Sequence, residues 1–164
     1  MIAWPAGAEP GGADIHVCDE IVADVAPERV WAWLVRAARW SELYDNCKAL
    51  RFVSQPGPDL ALGTEFTWRT FGVRVATRID ELVPGRALAW SGRGLGGHGY
   101  HAWLLEPRDG GVYIRTEETQ RGWMPRWSRW WLRGALGRSH RRWLGGLVAA
   151  ARQGVPDDIT VLTR

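Results

Sequence analysis

The stretch YHAWLLEPRDGGVYIRTEETQRG, residues 100–122, decides how the chain is read. Between residues 112 and 120, Val112, Ile114, Thr116, Glu118 and Gln120 fall on one side of an extended chain, because successive strand side chains point to opposite faces. The apolar pair Val112 and Ile114 sets that face inward, so Glu118 points in and Glu117 out. Residues 100–107 alternate too, with His101, Trp103 and Leu105 on one face and Tyr100, Ala102 and Leu104 on the other. Both faces are apolar, and the bulk of Trp103 argues for the His101 face being inward. Arg108-Asp109-Gly110-Gly111 between the segments reads as a hairpin turn. Two long antiparallel strands are therefore predicted.

The same counting extends upstream. TEFTWRTF (64–71), VRVATRIDELV (73–83) and RALAWSGR (86–93) read as strands, with Phe66 and Trp68 sharing one face and Leu88 and Trp90 another. Residues 15–25 alternate through Ile15, Val17, Ile21, Ala23 and Val25, with Asp19 breaking the pattern, and ALRFVSQ (49–55) is a short strand. Val30, Trp31, Leu34 and Ala38 recur at helical spacing after Pro27, a residue suited to a first helical turn. RWSELYDN is a second short helix or turn. Residues 124–152 read as helix, and DITVLT (158–163) as a short added strand. The order predicts an α+β fold: a curved antiparallel sheet of about six to seven strands around a long C-terminal helix, with two short helices after the first strand. A helix about 10 Å wide covers only part of such a sheet, and the remainder becomes a cavity suited to a small ligand. The expected division is a flexible arm at 1–14, one domain at 15–153 and a tail at 154–164.

Composition narrows the partners. The chain has 164 residues and a formal net charge of +3. Residues 121–152 carry eight arginines and no acid, so the remainder holds 13 basic groups against 18 acidic ones. A basic segment on an acidic body points to an anionic partner or to the body itself. A single lysine beside 20 arginines also fits genomic base composition, which explains twelve tryptophans less well. No apolar run approaches the roughly 18 residues of a membrane span, and the first residues lack the pattern of a signal peptide. A cytoplasmic protein with Cys18 and Cys47 reduced is expected.

At 100° per residue, Trp123, Trp127, Trp130 and Trp131 share one helix face. Leu136, His140, Trp143, Leu144, Leu147 and Ala151 lie on a different one. This inversion predicts a break at Gly134–Gly137. The half before it then acts as a tryptophan-faced lid over the pocket, as an amphipathic patch for an anionic membrane surface, or as a contact for a partner or a second copy of the chain. Nucleic acid is not expected, because tryptophan and arginine occupy opposite faces instead of interleaving.

The succession of segments resembles the SRPBCC or START-like helix-grip superfamily, and within it the polyketide cyclase/dehydrase group. The resemblance spans about residues 15–153. It rests on APERVWAWL, ARWSELYDN, PDLALGTEFTW, ELVPGRALAWSG, and HAWLLEP followed by DGGVYIRTEE and Gly122. Leu43 departs from it, standing where a second tryptophan is common. The group's "H.W" pattern agrees with His101 and Trp103 facing inward. The resemblance implies an apolar ligand cavity under the C-terminal helix and names no reaction, since the group contains carriers, sensors and cyclases.

The chemistry expected of that cavity is sparse. Gly92, Gly94 and Gly97 match G-x-G-x-x-G, but a strand follows where a phosphate site needs a helix, so GRGLGGHG reads as a mobile hairpin at the rim. His98 and His101 point to opposite faces and cannot share a metal. No metal and no cofactor are expected. The candidate ligand-binding residues are Trp40, Trp68, Trp90, His101, Trp103, Glu118 and Trp127. His101 and Glu118 are also the candidates for acid/base work, the buried carboxyl being expected to have a raised pKa. The expected partner is an apolar molecule, aromatic, polyketide-like or lipid, held by a carrier or sensor. The alternatives are a cyclase or dehydratase, and a membrane-surface adaptor using residues 123–143.

Overall fold

The structure, a computed structural model, describes residues 2–54 and 57–157. Strand β1 (Ile15–Ala23) is followed by helix α1 (Pro27–Val35), a 3-10 turn and helix α2 (Trp40–Leu43). Six strands then run in succession: β2 (Lys48–Ser54), β3 (Glu65–Thr70), β4 (Val73–Val83), β5 (Ala87–Gly94), β6 (Gly97–Arg108) and β7 (Gly111–Arg121). Helix α3 (Trp123–Gln153) closes the domain. The strands form one antiparallel sheet in the order β1-β7-β6-β5-β4-β3-β2. Short connections keep sequence neighbours adjacent, and β1 joins the free side of β7. This is the helix-grip architecture expected from the sequence. The expected strand at 158–163 lies outside the described residues.

The inward face carries Phe66, Trp68, Ile79, Leu88, Trp90, His101, Trp103, Leu105, Val112 and Ile114, all buried. Pairing sets Trp90 opposite His101, and His101 opposite Glu118. The rim hairpin is tighter than its glycines suggest, because β5 and β6 pair to their ends at Gly94 and Gly97.

Helix α3 is continuous across Gly134–Gly137, which corrects the expected break. Its buried stripe runs through Pro125, Ser128, Leu132, Leu136, His140, Trp143, Leu147 and Ala151, an unbroken spacing of three and four. Leu132 and Leu136 pack on Ile15 and Val17 of β1. Of the tryptophans of the first half, its apolar face by sequence, Trp123 lies over Gly96 of the β5–β6 turn and the others point away. Trp123 is 62%, Trp127 79%, Trp130 83% and Trp131 47% exposed. The first half of the helix thus seats small and medium side chains on the sheet edge and leaves its tryptophans largely exposed. Gly146 brings the helix close to α2, since a Cβ there would stand 2.2 Å from the Leu43 carbonyl oxygen.

Part of the basic segment meets the acidic body. Arg126 pairs with Asp14 at 3.0 Å, Arg141 with Asp19 at 3.0 Å and Arg142 with Asp45 at 3.5 Å. Such exposed pairs are worth little individually. Asp14 also accepts the Gly122 N–H, and these two contacts hold its carboxyl below the usual range. Asp19, the residue that breaks the β1 alternation, faces inward beneath α3. The arm expected to be flexible lies on the outer sheet face: Trp4 packs on Tyr100 with centroids 5.6 Å apart, and Thr119 donates to the Ala8 carbonyl. Cys18 on β1 and Cys47 before β2 are both free and sit at opposite sheet edges.

Gly122 joins β7 to α3 at φ 129°, and a Cβ there would stand 2.3 Å from the Gly96 carbonyl oxygen. Gly122→Ala is expected to destabilise the fold by at least about 1–3 kcal/mol, the usual cost of forcing a side chain into such a backbone conformation. Urea denaturation of the variant beside the parent chain measures this, and an unchanged midpoint would contradict it.

Candidate functional site

The deep end of the grip is filled with aromatic rings. Trp143 on α3 stacks on Tyr44 with centroids 4.6 Å apart and meets Trp40 and Trp103 at 5.1 and 5.2 Å. Trp40 is fully buried and donates its indole N–H to the Leu34 carbonyl at 3.0 Å. Trp68 donates to Thr77 Oγ1 at 3.0 Å. The space left over is a cavity of about 120 Å³ between the β3–β6 end of the sheet and the first half of α3. Trp68, Trp90, Val75, Met124, Leu132 and Leu136 supply apolar wall, and His101, Glu118, Gln120 and His140 supply its polar side.

Of the seven candidate ligand-binding residues, the structure brings Trp68, Trp90, His101 and Glu118 to this wall. Trp40 and Trp103 are buried in the ring cluster behind it. Trp127 faces away from it, on the outside of α3. Periodicity counts which face each strand turns inward, not how far the rings reach across. Sequence reasoning misses Leu132 and Met124 as wall residues because the tryptophans beside them carry more hydrophobic weight, and it puts Leu136 in the buried stripe without assigning it to the cavity. It puts His140 in the buried stripe and gives it no role. An imidazole among leucines and a tryptophan on one helix stripe is the available signal.

The polar side is a connected network. Glu118 Oε2 lies 3.0 Å from His140 Nε2 and 3.5 Å from His101 Nδ1, and Glu118 Oε1 accepts from Gln120 at 2.7 Å. His101 Nε2 is 2.7 Å from Thr116 Oγ1. The two imidazoles stack at 4.8 Å, tilted by 12°. Burial pushes His101 down to about 3, outweighing the pull of Glu118. Burial alone would raise Glu118, but the His140 hydrogen bond, the adjacent imidazoles and Gln120 outweigh it and hold it at about 2. The raised carboxyl expected from burial is therefore a lowered one. At neutral pH Glu118 is a carboxylate and accepts only, so His140 Nε2 carries the hydrogen between them. His140 Nδ1 and the indole nitrogens of Trp103 and Trp143 are buried without a hydrogen-bond partner. Among the described residues no helix is long and apolar enough to cross a membrane.

The profile of the family described as polyketide cyclase / dehydrase and lipid transport matches residues 14–152. No curated protein shows significant sequence similarity to the chain. Among solved structures, a hypothetical protein of Helicobacter pylori superimposes with a TM-score of 0.85 at 31% identity, covering 93% of this chain and 96% of that one. A Thermus thermophilus protein follows the same fold with a TM-score of 0.70 at 17% identity, covering 84% and 97%. So does the di-domain ARO/CYC StfQ from the steffimycin biosynthetic pathway, with a TM-score of 0.68 at 16% identity, covering 85% of this chain and 51% of StfQ.

Because Trp103 belongs to the packed cluster, its replacement tests packing. Trp103→Ala is expected to cost about 3–5 kcal/mol, as large-to-small changes at buried tryptophans do. Equilibrium unfolding in urea reads the loss, and a cost below about 1 kcal/mol would show that the ring is not part of a tight core.

Proposed function

The chain belongs to the polyketide cyclase / dehydrase and lipid transport family, and we propose that it is a carrier or sensor for a small apolar molecule. The ligand sits between sheet and α3, with a polar end toward Glu118 and His101. The observation that carries this reading is the cavity itself: mostly apolar wall closed at one side by a buried carboxylate–imidazole network. Size restricts the occupant. An engineered apolar cavity of about 150 Å³ binds benzene, so about 120 Å³ suits one aromatic ring or the end of an acyl chain. A larger ligand inserts one end and leaves the rest along the rim.

The enzymatic alternative, a cyclase or dehydratase using His101 and Glu118, has less support. Both His101 nitrogens face partners within the network, and Glu118 has no proton to give at neutral pH. In this reading the two residues orient and fasten, and they take up no proton from the ligand.

Native mass spectrometry of the purified chain is expected to show a co-purified small molecule, and a single-ring aromatic dye is expected to quench indole fluorescence saturably. Leu132→Trp fills the cavity from α3 and is expected to weaken dye binding at least tenfold with the fold intact. Equal affinity in the folded variant would place the dye elsewhere.

A second reading is favoured by the four exposed tryptophans of α3. Trp127 and Trp130 stand beside Arg126, Arg129 and Arg133, all exposed. Tryptophan at the boundary of lipid and arginine against anionic head groups is how an interfacial helix binds. Met124 and Pro125, on the same helix turn, line the cavity. A carrier docked by this face would have its mouth at the lipid surface. Vesicles containing phosphatidylserine are expected to pull down the chain at low salt and to release it in 1 M salt, where screening acts within about 3 Å. The double variant Trp127→Ala, Trp130→Ala is expected to lose this binding while still binding the dye. Retention on vesicles by the double variant would exclude the face as the contact.

A further inference from the structure

The geometry points to a divalent transition-metal site formed by His101, Glu118 and His140 at the polar side of the cavity. Among the described residues this is the only group of three metal-ligating side chains gathered so closely, with candidate ligand atoms within 4.8 Å of one another. They come from three elements: His101 from β6, Glu118 from β7 and His140 from α3. Glu118 Oε2 stands 3.5 Å from His101 Nδ1 and 3.0 Å from His140 Nε2. Ligands about 2.0–2.1 Å from a tetrahedral cation lie roughly 3.3–3.4 Å from each other, so both separations suit a shared ion. The imidazoles are nearly parallel, 4.8 Å apart. The candidate ligand atoms are up to 4.8 Å apart, so the site must contract by roughly an ångström for both imidazoles to reach one ion.

The atoms behind the three ligands are arranged as histidine ligands require. A ligating imidazole hands its other N–H to an oxygen that fixes its tautomer and orientation. His101 Nε2 already faces Thr116 Oγ1 at 2.7 Å, and the second carboxylate oxygen of Glu118 is held by Gln120 at 2.7 Å. His140 Nδ1 has no hydrogen-bond partner, yet Asp19 Oδ2 is 3.8 Å away. Without a cation, His140 spends its hydrogen on Glu118 and leaves Nδ1 as a buried, unsatisfied atom, an arrangement that costs stability. With Nε2 on a cation, the hydrogen sits on Nδ1 and is aimed at Asp19. Closing the 3.8 Å gap to Asp19, itself held by Arg141 at 3.0 Å, then satisfies that atom and makes Asp19 the outer partner of His140.

Two imidazoles and one carboxylate, with no thiolate, suit Zn²⁺ or its neighbours Co²⁺, Ni²⁺ and Fe²⁺ and disfavour Ca²⁺ and Mg²⁺, which take mainly oxygen. The remaining coordination position opens on the cavity, since all three residues line it. An oxygen atom of an enclosed ligand, or water, would complete the shell. Sequence spacing does not expose the set, because Glu118 and His140 are 22 residues apart and on different kinds of element.

The test uses the full chain, stripped with a chelator and titrated with Co²⁺ and Zn²⁺. One cation per chain is expected, with the visible d–d absorption of four- or five-coordinate cobalt. Glu118→Gln and His140→Ala are each expected to lower affinity at least a hundredfold. Asp19→Asn, a positioning change, is expected to lower it about ten- to a hundredfold, with the cobalt spectrum shifted but present. Circular dichroism checks that each variant is folded. X-ray absorption on the zinc-loaded parent chain needs no variant, and two imidazole ligands with no sulfur are expected. Absence of saturable binding would overturn the site. So would binding that survives both Glu118→Gln and His140→Ala, or an absorption edge reporting sulfur ligands or an all-oxygen shell.

Discussion

Trp143 is the contact on which the rest of the molecule depends. It projects from α3 into the grip and meets Trp40 and Tyr44 of the α2 region, Trp68 of β3, Trp90 of β5 and His101 and Trp103 of β6. One side chain of the helix thereby touches the short helices and three strands at once. The edge-on and tilted arrangements in this cluster are the favourable ones for aromatic pairs. The cluster also fixes where α3 lies along the sheet, and with it the position of everything else the helix carries.

That placement explains the cavity. Seven strands at about 4.8 Å spacing make a surface roughly 29 Å across, whereas a helix is about 10 Å wide. The difference must be filled or left empty. At the α1–α2 end, Trp33, Leu34, Trp40 and Leu43 fill it. At the β5–β6 hairpin end the sheet supplies Gly92, Gly94, Gly97 and Gly99 to the wall, and the helix supplies leucines. Small residues on the strands opposite modest ones on the helix leave a void there. The same stretch that matches a phosphate loop by sequence is what keeps one end of the grip open.

Much of this was legible in the sequence. Alternation at Val112–Gln120 located β7 and turned Glu118 inward, and Trp103 chose the inner face of β6 correctly. Two physical limits stopped the reading. The change of apolar face between Trp131 and Leu136 argued for a break in α3, but the helix stays continuous because Ser128 and Leu132, not the tryptophans, carry its stripe along the sheet edge. Counting faces also treats each strand alone. It could not show that the rings of Trp40, Trp68, Trp90, Trp103 and Trp143 would meet in the middle, nor that a helix would bring His140 to Glu118. Asp19 carried a sign of that meeting. A carboxylate interrupting an apolar alternation is costly unless something across the core answers it, and here Arg141 of α3 does.

The two halves of α3 consequently serve different ends under one continuous stripe. From Leu136 onward, the helix is core: its polar exceptions, Ser139 and His140, are buried, and its glycine at 146 lets Leu43 approach. Before Leu136 it rests on the sheet edge through a thin line of contacts to Ile15 and Val17. The stripe that faces the edge strand carries Ser128 and Leu132, and the tryptophans lie off it. The four indoles therefore remain outside, beside arginines of which Arg126 is tied back to Asp14. Leaving that much aromatic surface in water is unfavourable for the isolated domain. A surface that covered these indoles would remove that cost, whereas the arginines flanking them stay hydrated.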